Sequence, residues 1–118
     1  MSDHHSDGAP LVRIAELEID PERLDDYLAM LAAEIRASVA EEPGVIMLHA
    51  VAIRDRPASI RLFEVYANEA AYQAHLTSPH FVNYKIGTAD MVRSLRLIET
   101  RPIVLAGDAL HWPSEMDA

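Results

Sequence analysis

Hydrophobic and polar positions along this chain change period several times, and each change marks an element. "LVRIAELEI", residues 11–19, alternates, with Ala15, Leu17 and Ile19 on one side and Glu16 and Glu18 on the other. That period of two predicts a strand. Asp20 and Pro21 follow, a capping carboxylate and a proline suited to the first helical position. Leu24, Tyr27, Leu28, Leu31, Ile35 and Val39 then recur every three to four residues, with Asp25, Asp26, Glu34 and Arg36 off the stripe. This predicts an amphipathic helix. "EEPG", 41–44, ends it, because Pro43 disfavours helix in the residue before it and Gly44 permits the turn.

"VIMLHAVAI", 45–53, reads as a second strand, "RDRPAS", 54–59, as a turn-rich link, and "IRLFEVY", 60–66, as a third strand. So short a link favours an antiparallel hairpin. Asn68 is a cap for "EAAYQAHL", Ser78-Pro79 interrupts the helix, and a second helical piece runs from about His80 to Met91, weakened by Gly87. "VRSLRLIETRPIVL", 92–105, is the last strand, with Pro102 marking a sheet edge or a strand end. Residues 1–10 read as a disordered lead-in and 106–118 as an unpatterned tail. The order β-α-β-β-α-β with right-handed crossovers predicts an α+β, ferredoxin-like sandwich over residues 11–105. It has a four-stranded antiparallel sheet and both helical segments on one face.

The second strand adds an expectation about assembly. Met47, His49, Val51 and Ile53 point one way and Ile46, Leu48, Ala50 and Ala52 the other, so neither side is polar. The helices cover one side only. A bare apolar sheet face is a patch that soluble monomers avoid, and a second copy of the sheet would cover it in a two-fold homodimer. The competing expectation is that the tail, with Leu110 and Trp112, folds back over the sheet or clasps the partner.

Composition narrows the function classes. The chain has 118 residues and a formal net charge of −9, which argues against nucleic acid and anionic membrane surfaces as partners. Five of the 19 acidic residues lie outside 11–107, leaving that region at −4, an ordinary value. With no cysteine, a disulfide scaffold, thiolate metal sites and a cysteine nucleophile are all excluded. The first ten residues lack the charge and apolar run of a secretory signal, and a cytoplasmic location is the default expectation.

Chemistry concentrates in "AYQAHLTSPHFVNYK", 71–85. His75 and His80 flank the Ser-Pro break, and imidazole can accept a proton near working pH. The break can turn both rings towards one cavity. As metal ligands they lack a third partner of suitable spacing, so no metal site is expected. Glu64, mid-strand among apolar neighbours, needs a partner or a raised pKa. It either orients a histidine or a substrate hydroxyl, or pairs with an arginine such as Arg13 or Arg96. His49 either lines the same pocket or hydrogen-bonds within a dimer core. Met47, Tyr66, Phe81 and Tyr84 are either apolar pocket walls or core.

The run "LFEVYANEAAYQAHLTSPHF", 62–81, together with the element order, resembles the antibiotic biosynthesis monooxygenase domains of the dimeric α/β-barrel superfamily. The resemblance spans roughly residues 11–105 and implies a small homodimer, a dimeric α/β barrel with a pocket between sheet and helices in each subunit. Members of that family include cofactor-free oxygenases of quinols or polycyclic phenols, an isomerase of a phosphorylated signalling sugar, and haem-degrading enzymes. The haem ligand position of the last group falls on Lys85, so haem chemistry is not expected. The resemblance therefore implies a cofactor-independent monooxygenase acting on a small quinol-like aromatic and O2. His75 or His80 would be the base, and Glu64 or His49 would hold the hydroxyl. Two alternatives stand beside it. One is a sugar-phosphate isomerase using Arg13, Arg54, Arg56 and Arg61, and the other is a dimeric binding or stress-response module without turnover.

Overall fold

The protein is described by a computed structural model over residues 8–107. The lead-in before residue 8 and the tail from 108, with Leu110 and Trp112, lie outside the described residues. Four strands form one antiparallel sheet: β1 (Leu11–Ile19), β2 (Val45–Ile53), β3 (Arg56–Tyr66) and β4 (Val92–Glu99), in the order β2-β3-β1-β4. Three helices, α1 (Leu24–Glu41), α2 (Glu69–Leu76) and α3 (Pro79–Thr88), pack on one face. This is the α+β ferredoxin-like sandwich expected from the element order.

The predicted helix starts hold because their caps form, whereas α3 ends at Thr88 rather than Met91. Asp20 accepts from the Glu22 amide at 3.0 Å and leads into a 3-10 turn, Pro21–Arg23, before α1 proper. Asn68 accepts from the Ala71 amide at 2.8 Å, and Ser78 caps α3 with Pro79 in its first turn. The Ser78 hydroxyl also donates to the His75 carbonyl at 2.8 Å, tying the end of α2 to the start of α3.

Two strand boundaries differ from the reading of the pattern. The β2–β3 turn is only Arg54–Asp55, and β3 begins at Arg56 rather than residue 60. Pro57 is tolerated because β1 pairs with β3 only as far as Glu18↔Ser59, so no ladder bond to β1 is lost there. At the other end, β4 stops at Glu99 rather than 105. Thr100 turns back to donate its hydroxyl to the Val12 carbonyl at 2.6 Å.

The register assigns the faces. Leu11, Arg13, Ala15 and Leu17 pair with Tyr66, Glu64, Leu62 and Ile60 and share the helix-covered face. On it, Ala15, Leu17, Ile19 and Ile60 join Tyr27, Leu31 and Met91 in the main core. A register shift between Val45 and Met47 changes the expected alternation of β2. Ile46, expected beside Leu48, instead packs with Val12 and Val65 on the outer face.

That outer face is not apolar throughout. One row across the sheet carries His49, Phe63, Ile14 and Ile98. The next carries Arg61 and Arg96 paired with Glu16 at 3.7 and 3.6 Å. Apart from Val51 of β2, which stands beside Arg61 in the charged row, the apolar part is concentrated at one end, where Leu105 already packs against Val12, Ile46 and Val65. Phe63 remains 38% exposed and Val51 60%.

Candidate functional site

Between the sheet and the helices lies a cavity of about 530 Å³. Its floor is Arg13, Ala15 and Leu17 of β1, Leu62, Glu64 and Tyr66 of β3, and Leu95 and Leu97 of β4; its roof is Leu31 and Glu34 of α1 with Tyr72, His75, Phe81 and Tyr84. The half-exposed Leu95 and Leu97 mark its mouth at the β4 edge. A mostly apolar hollow with a few convergent polar groups has the character of a small-molecule site.

Glu64 is held on the floor by register, opposite Arg13 of β1. Tyr66, two residues on and therefore on the same face, donates its hydroxyl to Glu64 Oε1 at 2.9 Å. Burial raises the Glu64 carboxyl above its usual range, and the Tyr66 hydroxyl, His75 and Arg13 oppose that rise. The expected arginine salt bridge does not form. Arg13 lies over the Tyr72 ring at 4.7 Å and meets Glu99 at 3.9 Å, and Arg96 turns outward to Glu16.

His75 sits in the roof and is 4% exposed. Both its nitrogens face carboxylates: Nδ1 lies 3.1 Å from Glu42 Oε2, and Nε2 lies 3.4 Å from Glu34 Oε2. Its ring packs on Phe81 and Tyr66 at centroid distances of 4.7 and 5.4 Å. His80 stands one step behind, its Nε2 in contact with the same Glu42 oxygen, and it does not line the cavity. Glu34 accepts from the Ser38 hydroxyl at 3.1 Å, and burial raises its carboxyl against the pull of His75. Tyr84 shares a hydroxyl–hydroxyl bond of 2.6 Å with the fully buried Tyr27, and burial pushes both phenols up.

The fold brings His75, Glu64, Tyr66, Phe81 and Tyr84 together around the cavity, whereas His80, expected to turn towards it, does not reach it. Met47 and His49 do not join them. His49 projects from the outer face opposite Phe63 and is exposed, and Met47 packs against the outer cluster. Of the arginines considered for a dianion, only Arg13 reaches the cavity, whereas Arg56 and Arg61 are paired with Glu16 and Glu18 outside it. The site also holds Glu34 and Glu42, which the sequence pattern does not single out. Glu34 lies off the apolar stripe, yet Tyr27, Leu31, Glu34 and Ser38 are the buried residues of α1. That 4-3-4 spacing was the available signal. Glu42 lies beyond the last helical residue and had no periodic signal at all.

The sequence profile of the antibiotic biosynthesis monooxygenases matches residues 10–85. No curated protein matches the chain. Among solved structures, a Bacteroides thetaiotaomicron protein named as one of these monooxygenases is 46% identical, with a TM-score of 0.82 over 85% of this chain and 95% of its own. A Mycobacterium tuberculosis protein is 25% identical, with a TM-score of 0.75 over 84% of this chain and all of its own. A Lactobacillus acidophilus protein named as a monooxygenase is 27% identical, with a TM-score of 0.75 over 78% of this chain but 44% of its own. The profile covers well over half the chain, and the first of these structures spans nearly its whole domain. On both grounds this chain belongs to the antibiotic biosynthesis monooxygenase family.

Proposed function

We propose that the protein is a cofactor-independent monooxygenase of a quinol or polycyclic phenol. The observation that carries this reading is Glu64, a carboxylate raised by burial on the floor of an aromatic-walled cavity, with a tyrosine hydroxyl bonded to it. A deprotonated, electron-rich phenol can reduce O2 itself. The protein's tasks are to remove the proton, stabilise the oxyanion and keep water out. Among the sequence candidates the proton acceptor is Glu64, because it faces the cavity and burial raises its carboxyl above the usual range. His75, with both nitrogens directed at carboxylates, acts as a positioning residue that shapes the roof and the local charge. Tyr66, Phe81 and Tyr84 supply flat walls for an aromatic substrate.

The reading includes a two-fold pairing through the apolar end of the outer sheet face, where Phe63, Ile14 and Ile98 share a row. In the segment after β4, Ile103 and Val104 are also exposed, at 99% and 74%, while Leu105 packs on the outer face.

Oxygen uptake with a menadiol-type quinol tests the chemistry. Glu64→Gln lowers kcat by about 100-fold or more, as loss of a general base does, with little change in KM. Uptake that is absent in the wild type, or unaffected by Glu64→Gln, removes the assignment.

A further inference from the structure

Behind the roof of the cavity three element ends converge on one point. Glu42 caps the C-terminus of α1, His75 lies in the last turn of α2, and His80 in the first turn of α3. A Glu42 carboxylate oxygen and one ring nitrogen of each histidine all lie within 4.8 Å of one another. We propose that these residues form a site for a divalent transition-metal ion of the zinc type.

Donor chemistry is the first argument. Two imidazoles and a carboxylate are the ligands of borderline ions such as Zn2+, Co2+ or Fe2+, whereas Mg2+ and Ca2+ take oxygen cages. Ligand atoms at tetrahedral corners about 2.0–2.2 Å from zinc are roughly 3.4 Å apart. The separation of 3.1 Å between His75 Nδ1 and Glu42 Oε2 is close to that edge, whereas His80 Nε2 lies closer than the edge to the same oxygen and would move back as an ion enters. Three protein ligands leave a fourth position for water.

The surroundings are the second argument, and they are independent of the first. Each imidazole turns its other nitrogen to a further carboxylate. His75 Nε2 faces Glu34 Oε2 at 3.4 Å, and His80 Nδ1 faces Glu41 Oε1 at 3.9 Å. Carboxylates so placed need only close to hydrogen-bond distance to fix the tautomer that leaves the inner nitrogen free to bind metal. The Ser38 hydroxyl in turn holds Glu34. Glu34, Glu41 and Glu42 bring three carboxylates to two imidazoles, an excess of negative charge that a cation offsets. Glu41 is 69% exposed, so an ion can enter from that side.

The site does not depend on the oxygenase reading, and its test needs no turnover. The intact chain, freed of metal with a chelator, is titrated with Zn2+ by calorimetry and with Co2+ by visible absorption. One ion binds per chain, and Co2+ shows the intense bands of a four-coordinate N/O site. His80→Ala and Glu42→Gln abolish both signals. Glu34→Gln, which removes an outer carboxylate, weakens binding by about 10–100-fold. His49→Ala, and a variant with His4 and His5 both changed to Ala, bind like the wild type. Circular dichroism confirms folding, and should Glu42→Gln unfold, the partly exposed His80→Ala carries the test. No uptake of either ion, or uptake that survives His80→Ala, overturns the proposal and leaves the cluster a hydrogen-bonded clamp between helix ends.

Discussion

Glu64 couples the cavity to stability in a direction that can be measured. Its folded-state pKa is raised, chiefly by burial. Between the unfolded and folded pKa values the native state therefore binds more protons than the unfolded chain, so stability falls as pH rises through that window. The cost of the buried charge is fully present above the folded pKa and absent below the unfolded one, near 4.5. Glu64→Gln, which keeps an acceptor for Tyr66 without the charge, is thus more stable than the wild type at pH 8. The advantage shrinks on acidification towards pH 4, which paired urea titrations at the two pH values would show. An advantage that is the same at both pH values contradicts the assignment. Glu64 was legible because a carboxylate in "LFEVY" breaks an apolar run. Glu34 was not, because a glutamate on a helix is ordinarily solvated and only its spacing from Tyr27 and Leu31 marks it.

At the scale of elements, α2 is positioned by two small features, and both are open to test. A Cβ on Gly44 would lie 2.4 Å from the Cβ of Ala71, so the turn after α1 packs its glycine directly against the Ala71 side chain at the start of α2. Gly44→Ala forces them apart and destabilises by about 1–3 kcal/mol, the usual cost of overpacking. Asn68→Ala removes the α2 cap and costs about 1 kcal/mol. Chemical denaturation measures both. Because α2 carries His75, each also perturbs the roof of the cavity, and Gly44→Ala does so more. Gly87 works similarly, its absent Cβ making room for the Met30 methyl, 2.4 Å from where it would stand. The pattern thus showed Gly87 as a weak point in α3 and not as a packing contact between helices distant in sequence. The elements themselves were readable from period and caps. Their ends were not where tertiary pairing decides them, as at Arg56, Glu99 and the register shift at Ile46.

At the scale of the whole molecule, the question is what covers the outer sheet face. A uniformly apolar face would need a partner along its full length. The ion pairs of Arg61 and Arg96 with Glu16 show that half of this one is content in water. The alternation in β2 could not reveal this, because the charged row is supplied by β1, β3 and β4. What remains is a smaller apolar area centred on Phe63 and flanked by Ile14 and Ile98. A stable interface buries about 800 Å² per partner. Phe63 would be its centre, and an aromatic at the middle of a patch carries a large share of the binding energy. Sedimentation equilibrium of the wild type at micromolar concentration is expected to give twice the chain mass of 13.1 kDa. Phe63→Lys places a charge at the centre and yields a monomer, whereas Arg96→Ala, in the charged row, leaves the dimer intact. The cavity lies on the helix-covered face with its mouth at the β4 edge, so the Phe63→Lys monomer keeps the Glu64–Tyr66 pair. A wild type that sediments at the single-chain mass would show that the segment around Leu105 covers enough of the face alone.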